Sequence, residues 1–416
     1  MMSDPAAAPN LSDPADPSGA TRRVLILGST GSIGTQTIEV IEHLNALHAQ
    51  GLWPTRFEVV GLAAGRNADA LARQADQLDV RDVAICSGDV QLAEGNVRRG
   101  PDAAAELVHD VDCDLVLAAM VGFAGLPATL EATNRGIDVA LANKETLVAA
   151  GELVVPAAVR TGAAILPIDS EHSAIWQCLG GVHWTGGDPS PRPPVDLSMH
   201  VESLILTASG GPFREKTADE VYSATPDDAL RHPTWSMGPK VTVDSASLTN
   251  KAFEIIEAHW LFGLPGHRIR VLVHPQSIVH SLVTFDDGTM IAQLGAPDMR
   301  TPIQYALTFP KRAPACGHNL SPAALSDLSF AEPDTDRFPA LRLAQDVIDR
   351  GGTAGAVFNG ANERAVELFL DRRIPFGRIA ELTAEAVRTI GSSPLRDLND
   401  AVEADRAARA LIDRAV

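Results

Sequence analysis

The sequence is poor in cysteine, aromatic residues and positive charge, and each shortage excludes a class of protein. Four cysteines are scattered over 416 residues without a C-x-x-C pair, which is typical of reduced thiols in a cytoplasmic protein. Acidic residues outnumber Lys and Arg by 53 to 34, giving a formal net charge of −19. This charge argues against a nucleic acid or a membrane surface as partner. With aromatic residues at 5% and much Ala, Gly and Val, the composition favours α/β packing.

Long hydrophobic runs are also absent. No stretch approaches the ~18 apolar residues that read as a membrane-spanning helix. Residues 1–21 are rich in Ala, Pro, Asp and Ser, and they lack the basic start and apolar core of a signal peptide. We therefore expect a disordered tail on a cytoplasmic protein that has no membrane partner.

Strand-like and helix-like segments alternate between Arg22 and Ile168. The strand-like runs are short and continuously apolar, and they lie near residues 24–27, 57–62, 83–85, 115–118, 138–141 and 164–166. Such runs are typical of a parallel sheet that is covered on both faces. The pattern predicts an α/β protein whose residues 22–168 form a doubly wound Rossmann-type domain.

The rest of the chain changes character twice. Residues 169–308 mix strands with one long helix near 245–262, and Asp286-Asp287-Gly288-Thr289 signals an antiparallel hairpin. This region is expected to be an α+β catalytic domain. A proline-rich linker is expected over 309–334 and a helical bundle over 335–416.

The most informative segment is Asp169-Ser170-Glu171-His172, which directly follows a short apolar run. In an extended backbone, Asp169 and Glu171 point to the same side. Two adjacent carboxylates stay ionised if a cation lies between them, and a hard divalent metal prefers such oxygen ligands. An isolated Asp-x-Glu is more often part of a polar loop, so the metal site depends on what the rest of the chain adds.

A glycine-rich turn, residues 28–34, leaves the first strand and opens a helix. Glycines allow a tight turn, so the helix N-terminus can accept a pyrophosphate. The spacing is G-x-x-G-x-x-G rather than the G-x-G-x-x-G usual for NAD. The second strand ends in Ala64-Gly65-Arg66-Asn67 without the acid that binds the ribose of NAD. We therefore predict NADPH with Arg66 on its 2′-phosphate; the alternative is that Arg66 merely caps a helix.

A second polar segment spans residues 244–260. On one helix, Ser247, Asn250, Glu254 and Glu257 would share a face opposite an apolar one. Such a stripe is usually just solvated. Here hydroxyl, amide and ammonium groups converge near the start of the helix, which suits an anion, and Glu254 could complete the metal site.

Two further segments supply donors. The strand end at 207–213 could bring Ser209 to a phosphate, although an ordinary turn is the alternative. The loop at 231–240 carries His232, Trp235 and Met237 and is predicted to close over a ligand. Structural roles are expected for His172, His274 and His280.

Together these segments resemble the 1-deoxy-D-xylulose 5-phosphate reductoisomerase family from about Arg23 onward. The shared motifs, in chain order, are GSTGSIG (28–34), LANKE (141–145), DSEH (169–172), SGGPF (209–213), HPTWSMG (232–238), VDSASLTNKAFEIIEAHW (243–260), HPQSIVHS (274–281) and LGAPDMRTPI (294–303). One motif could arise by chance, but all of them in this order could hardly do so. The resemblance implies rearrangement and NADPH-dependent reduction of 1-deoxy-D-xylulose 5-phosphate to 2-C-methyl-D-erythritol 4-phosphate, in the non-mevalonate isoprenoid pathway. It also implies a divalent metal (Mn²⁺, Mg²⁺ or Co²⁺) and a homodimer.

Residue roles follow from the same resemblance. The NADPH site would comprise Thr30, Gly31, Ser32 and Ile33 at the pyrophosphate, Gly65, Arg66 and Asn67 at the adenosine end, and Asn143 and Glu145 near the nicotinamide half, with Gly238 of the 231–240 loop touching the cofactor. The metal ligands would be Asp169, Glu171 and Glu254. The substrate phosphate would contact Ser209, Ser245, Asn250 and Lys251. The sugar would contact Lys144, Ser170 and His232, with Trp235 and Met237 closing over it. The implied catalytic residues are Lys144, Glu171 and His232; whether the rearrangement is a retroaldol/aldol sequence or an α-ketol shift stays open.

Two other functions remain as alternatives. A different NADP oxidoreductase, such as a homoserine or aspartate-semialdehyde type dehydrogenase, would not need three clustered carboxylates. A non-enzymatic NADP-binding sensor would keep the glycine turn but have no use for the phosphate donors. Loss of activity on metal chelation separates the first alternative from the reductoisomerase.

Overall fold

The structure, a computed structural model, describes residues 21–180, 191–231, 235 and 237–416. The expected tail, apart from its last residue Thr21, and His232 therefore lie outside the described residues. Thr21 itself already belongs to the first strand.

A seven-stranded parallel sheet forms the N-terminal part of the described chain. Its strands are β1 (Thr21–Leu27), β2 (Arg56–Ala64), β3 (Asp82–Ile85), β4 (Asn96–Arg99), β5 (Leu115–Ala118), β6 (Asp138–Leu141) and β7 (Ile165–Pro167). Their order is β4-β3-β2-β1-β5-β6-β7. Residues 24–27 of β1 are completely buried, which explains why the sequence shows uninterrupted apolar runs. The predicted Rossmann-type sheet is confirmed, while its limits at 22 and 168 stay a prediction.

Helices connect these strands and begin at the carboxyl edge of the sheet. They are α1 (Ser32–Ala49), α2 (Ala68–Leu78), α3 (Ala103–Asp110), α4 (Leu126–Asn134) and α5 (Lys144–Thr161), and α6 (Ser170–Leu179) follows β7. The strand order reverses at β1, which has β2 on one side and β5 on the other. Ligands of doubly wound sheets bind outside the carboxyl ends of the strands at this reversal. The glycine turn and the segments that start at Asn143 and Asp169 all lie at this edge.

A four-stranded mixed sheet follows. It contains β8 (Val201–Ala208), β9 (Ile269–Val273), β10 (Val279–Phe285) and β11 (Met290–Leu294) in the order β11-β10-β8-β9. The hairpin predicted at 286–289 joins the antiparallel strands β10 and β11 and is confirmed. Helix α6 contacts β10 and β11 and thereby ties this sheet to the first one.

The long helix predicted near 245–262 is wrong, because the chain forms two helices there. After β8 the chain forms the short helices α7 (Ala218–Tyr222) and α8 (Pro226–Ala229). The break lies between the next two helices, α9 (Pro239–Ala246) and α10 (Thr249–Phe262). Leu248 separates α9 from α10 with a φ of 56°, in the left-handed region. The Ser247 hydroxyl donates to Thr249 Oγ1 at 2.8 Å and supports the break. Ser247 therefore does not share a helical face with Asn250 and Glu254, as the single helix required.

The C-terminal part is helical, as predicted. After α11 (Arg300–Thr308), residues 309–334 contain one short 3₁₀ helix, Pro322–Ser326, and the helices α12 (Ala340–Arg350), α13 (Ala354–Leu370), α14 (Gly377–Ile390) and α15 (Leu398–Ala415) follow. Helix α13 packs against α14, α15 and also α5. Its approach to α5 is close, because a Cβ on Gly355 would lie 1.9 Å from the Val148 carbonyl oxygen. None of the helices in the described part of the chain has the length and apolar character that crossing a membrane requires.

Candidate active site

One cavity of about 790 Å³ lies between the carboxyl edge of the first sheet and the segment formed by β8, α9 and α10. It brings together most of the residues that the sequence singles out. The predicted site residues that line it are Gly31, Ser32, Ile33, Asn143, Lys144, Glu145, Asp169, Ser170, Glu171, Ser209, Trp235, Met237, Gly238, Ser245, Asn250, Lys251 and Glu254. Thr30 and residues 65–67 lie outside its lining. Segments far apart in sequence therefore meet at one place.

Three carboxylates converge on one wall of the cavity. Asp169, Glu171 and Glu254 each offer an oxygen, and these oxygens lie within 4.8 Å of one another. The backbone differs from the expected extension, because α6 begins at Ser170 and Asp169 is its N-cap residue. Expecting strand alternation was therefore wrong, although the two carboxylates do lie together. A cluster of hard oxygen donors at this spacing fits Mg²⁺ or Mn²⁺.

Two ammonium groups face these carboxylates. The Lys144 Nζ contacts Asp169 and lies 2.8 Å from Glu254 Oε1. The Lys251 Nζ contacts Glu254 and lies 3.2 Å from Glu171 Oε1. Glu254, which is 1% exposed, thus sits between both lysines. Removing either partner from such a buried group leaves an uncompensated charge, so the cluster is strongly interdependent.

Burial and charge shift the pKa values of the cluster in opposite directions. Burial raises the pKa of Glu171 to about 8; Lys251 opposes this, while Glu254 and Asp169 reinforce it. Burial would also raise the pKa of Asp169, but Lys144 and His172 hold it below its ordinary value. Burial lowers the pKa of Lys144, yet Asp169 and Glu254 outweigh burial and raise it well above normal. Lys144 is therefore a cation that donates hydrogen bonds, and Glu171 is the carboxyl that exchanges a proton near neutral pH.

The raised pKa of Glu171 predicts that metal binding releases a proton near pH 7. Below a pH of about 8 the free site holds a proton on Glu171, and a metal must displace it. The apparent affinity for Mn²⁺ should therefore fall as the pH drops, by up to about tenfold per pH unit. Calorimetric titration with Mn²⁺ in buffers of different ionisation enthalpy measures the released proton.

The Glu171→Gln variant is the control for this pH dependence, because glutamine does not titrate. Its Mn²⁺ affinity should be weaker but nearly independent of pH. Equal wild-type affinity across the range around pH 8, with no proton released, would contradict the assignment to Glu171.

His172 and Glu257 form a buried pair behind the carboxylates. His172 Nε2 lies 2.8 Å from the Glu254 carbonyl oxygen, and its Nδ1 lies 3.3 Å from Glu257 Oε2. Burial lowers the pKa of His172 and raises the pKa of Glu257 well above normal, which favours the neutral form of both side chains. The structural role expected of His172 stays a prediction, and these contacts agree with it.

The glycine turn has the geometry that phosphate binding requires. Gly28 has a φ of 83°, and a Cβ there would lie 2.4 Å from the Ala119 carbonyl oxygen. A Cβ on Gly34 would lie 2.4 Å from the Gly28 carbonyl oxygen. Any larger residue at position 34 would therefore prevent α1 from starting so close to the end of β1. Gly31 caps α1 without a side-chain hydrogen bond. The first amides of α1 can therefore donate to an anion.

The end of β2 lies beside this turn. The amides of Gly28 and Ser29 donate to the Ala63 carbonyl oxygen at 2.8 and 2.9 Å. Asn67 caps α2 by accepting from the Ala70 amide at 3.2 Å. Arg66 is exposed. Since Asn67 supplies the cap, helix capping does not explain Arg66.

A buried ion pair that the sequence did not reveal borders the cavity. Lys240 Nζ lies 2.7 Å from Glu145 Oε1 and 2.9 Å from Asp244 Oδ2. Asn143 Nδ2 donates to Glu145 Oε2 at 2.8 Å and to the Gly122 carbonyl oxygen at 3.0 Å. Lys240 and Asp244 are four residues apart in a helix that begins at Pro239, directly after Gly238. This i, i+4 spacing is the one feature of the sequence that indicates their ion pair.

The predicted phosphate donors line the cavity beside the carboxylates. Ser209 follows β8, and the Gly211 amide donates to its Oγ at 3.3 Å. A Cβ on Gly211 would lie 2.9 Å from the Ser245 carbonyl oxygen, so this loop passes directly over α9. Asn250 and Lys251 lie in the first turn of α10. Hydroxyl, amide and ammonium groups thus border the cavity beside the carboxylate cluster.

Comparison with known proteins agrees with this geometry over nearly the whole chain. Models of 1-deoxy-D-xylulose 5-phosphate reductoisomerase match residues 24–151, and models of its C-terminal domains match 165–262 and 294–411. The 1-deoxy-D-xylulose 5-phosphate reductoisomerase of Pelotomaculum thermopropionicum is 46% identical over 402 residues, which are 93% of this chain and 97% of that protein. The Paraburkholderia xenovorans enzyme of the same name is 44% identical over 93% of this chain and 94% of that protein.

Solved structures agree as well. The Zymomonas mobilis 1-deoxy-D-xylulose 5-phosphate reductoisomerase in complex with NADPH superposes with a TM-score of 0.83 at 37% identity, over 95% of this chain and 98% of that one. A DOX-P reductoisomerase in complex with NADPH, fosmidomycin and magnesium gives 0.85 at 36% identity, over 94% and 98%. The chain therefore belongs to the 1-deoxy-D-xylulose 5-phosphate reductoisomerase family.

Proposed function

We propose that the cavity holds NADPH, a divalent metal and the substrate in three adjoining subsites. The reaction is the NADPH- and metal-dependent conversion of 1-deoxy-D-xylulose 5-phosphate to 2-C-methyl-D-erythritol 4-phosphate. The observation that carries this proposal is the position of the three-carboxylate cluster, between a glycine turn fit for a dinucleotide and a wall of anion donors. Incubation with substrate, NADPH and Mn²⁺ should yield the branched alcohol phosphate, identified by nuclear magnetic resonance; any other product would contradict the proposal.

In the metal subsite, Asp169, Glu171 and Glu254 would hold the ion. The donor set fits, since all three are carboxylates whose oxygens lie within 4.8 Å. A bound divalent ion supplies Lewis-acid polarisation of a ketone and orients the adjacent hydroxyl. This chain's own contribution is to fix the three oxygens and to surround them with Lys144 and Lys251, whose positive charge attracts an anionic substrate.

In the substrate subsite, the phosphate would contact Ser209, Ser245, Asn250 and Lys251. The overall charge of −19 opposes an anion, so a local group of donors is required. The sugar would contact Lys144, Ser170 and His232, and Trp235 and Met237 would exclude water. Because its pKa is well above normal, Lys144 is suited to donate to an oxygen that gains charge. Glu171 would serve both the metal and proton transfer, as the resemblance implies.

In the cofactor subsite, the pyrophosphate would lie on the α1 N-terminus at Thr30, Gly31, Ser32 and Ile33. The nicotinamide half would approach Asn143 and Glu145, and Gly238 would touch the cofactor. Gly65, Arg66 and Asn67 would hold the adenosine end, outside the cavity lining but beside the glycine turn. NADPH held there would supply hydride to the rearranged aldehyde next to the metal subsite.

The substitution Arg66→Gln should weaken the binding of NADPH but not that of NADH. The exposed guanidinium would lose its charge-assisted bonds to the 2′-phosphate, which predicts a KM for NADPH about tenfold higher. Steady-state kinetics with both cofactors measure the effect. Arg73→Gln, on α2, is the charge-matched control. Equal changes for NADPH and NADH would remove Arg66 from the 2′-phosphate subsite.

We further propose that the protein is a cytoplasmic homodimer. The cysteines Cys86, Cys113, Cys178 and Cys316 are free thiols, which suits a reducing compartment. The edge strand β11 exposes Met290, Ile291 and Leu294, and an apolar sheet edge is suited to association. Light scattering of the purified protein tests the dimer, and a monomer mass would contradict it.

A further inference from the structure

Helix α13, in the C-terminal helical part, contacts residues that line the cofactor side of the cavity. Asn362 is completely buried, and its Nδ2 donates to Asp244 Oδ1 at 2.8 Å. The other Asp244 oxygen accepts from Lys240 at 2.9 Å. Neither Asn362 nor its neighbour Glu363 lines the cavity. Asn362 therefore contacts the site through the charged pair in front of it.

The contacts continue from Lys240 to the first turn of α5. Lys240 Nζ bonds to Glu145 Oε1 at 2.7 Å, and Glu145 Oε2 accepts from Asn143 at 2.8 Å. Burial would lower the pKa of Lys240, but Asp244 and Glu145 raise it, so the ammonium remains charged. An unbroken chain of polar contacts thus joins α13 to the residues proposed to lie near the nicotinamide half.

Glu363 makes a second and separate connection. Its Oε1 accepts from the Phe123 amide at 3.1 Å, and a Cβ on Gly122 would lie 2.7 Å from the same oxygen. The Gly122 carbonyl oxygen in turn accepts from Asn143 at 3.0 Å. Arg409 of α15 contacts the other carboxylate oxygen of Glu363 and holds it in place. Both connections from α13 therefore end at Asn143.

We propose that Asn362 and Glu363 are positioning residues for NADPH: adjacent on α13, they hold Lys240, Glu145 and Asn143 in place from two sides. The inference rests on the proposed function, which places the nicotinamide half at Asn143 and Glu145. Buried hydrogen bonds and ion pairs favour one arrangement of the groups that make them, and loss of one partner leaves a buried group unpaired at a cost in free energy. Without the hydrogen bond from Asn362, the Asp244 carboxylate would attract the Lys240 ammonium more strongly. Lys240 would then move away from Glu145.

Three substitutions on α13 test the proposal by NADPH binding in the absence of substrate. Asn362→Leu and Glu363→Met should each raise the Kd for NADPH about tenfold, because each removes one connection. Glu363→Gln should have a Kd between those of wild type and Glu363→Met, because its amide oxygen can still accept from the Phe123 amide while the contact with Arg409 is lost. The Kd for Mn²⁺ should not change in any of them.

Thr383→Val is the control for a general loosening of the helices. Thr383 is buried on α14, and its hydroxyl bonds to the Ile379 carbonyl oxygen within that helix. It should leave NADPH binding unchanged. Unchanged NADPH binding in Asn362→Leu and Glu363→Met would overturn the proposal. A parallel loss of NADPH and Mn²⁺ affinity in these two variants would also overturn it. The same holds if Thr383→Val loses as much NADPH affinity as they do. Failure of the wild type to turn over substrate would refute the proposed function instead, since NADPH binding is measured without substrate.

Discussion

Glu254→Gln is expected to lower kcat by about a thousandfold while NADPH still binds. The substitution keeps the size of the side chain but removes one of three clustered carboxylates, and Glu254 is also the residue that both Lys144 and Lys251 contact. Metal-ion polarisation contributes several kcal/mol to such reactions, and about 4 kcal/mol corresponds to about a thousandfold in rate. Steady-state kinetics at saturating Mn²⁺, with NADPH binding measured separately, give the two numbers needed.

Glu257→Gln is the matched control. Glu257 lies on the same helix, α10, is completely buried and undergoes the same chemical change, but it does not line the cavity. Burial raises the pKa of Glu257 well above its ordinary value, which favours the neutral carboxyl that glutamine resembles. The control should keep kcat within about threefold, because glutamine replaces the form of the side chain that burial favours. A Glu254→Gln enzyme as active as this control would refute the metal role.

Lys251→Met is expected to raise the KM for the substrate about fiftyfold with a smaller effect on kcat. Lys251 is 4% exposed in the first turn of α10, among the donors proposed for the phosphate. A hydrogen bond to a charged group contributes about 2 kcal/mol, and desolvation of the site adds to the loss. Kinetics over a range of substrate concentrations, at fixed NADPH and Mn²⁺, separate KM from kcat.

The affinity for Mn²⁺ distinguishes this role from metal binding. The Lys251 ammonium contacts Glu171 and Glu254, so at a pH at which Glu171 is ionised its removal should leave Mn²⁺ binding unchanged or tighter. Lys216→Met removes an exposed, ion-paired lysine outside the cavity and should not change KM. A normal KM in Lys251→Met would exclude the residue from the phosphate subsite.

The sheet could be predicted because the apolar character of each strand can be read from its own short segment of sequence. Buried parallel strands must be apolar throughout, and six of the seven strands appear as such runs in the sequence. Strand β4 was missed because Asn96–Arg99 is a polar, partly exposed edge strand. The break at Leu248 has no local signal, since leucine rarely adopts a positive φ and the apolar periodicity continues through it.

The candidate site could be predicted in composition but not in arrangement. Asp169 and Glu171 were expected together from strand alternation, and they meet because a helix begins between them. The contact of Lys144 with Glu254 joins residues 110 positions apart, so only the tertiary fold determines it. Asn362 carried no signal, because a buried asparagine in a helical segment gives no indication of its partner. The residue roles and the domain limits therefore stay predictions.

The most direct test of the central claim is the rate of NADPH oxidation with 1-deoxy-D-xylulose 5-phosphate, before and after metal removal. Purified protein treated with a chelator should lose activity about a hundredfold or more, because the ion that we propose the carboxylate cluster holds would no longer polarise the ketone. Added Mn²⁺ should restore the rate, and omission of the substrate should abolish it. Substrate-dependent NADPH oxidation that persists without metal would contradict the account, and so would a protein that oxidises NADPH with an aspartate-semialdehyde type substrate instead.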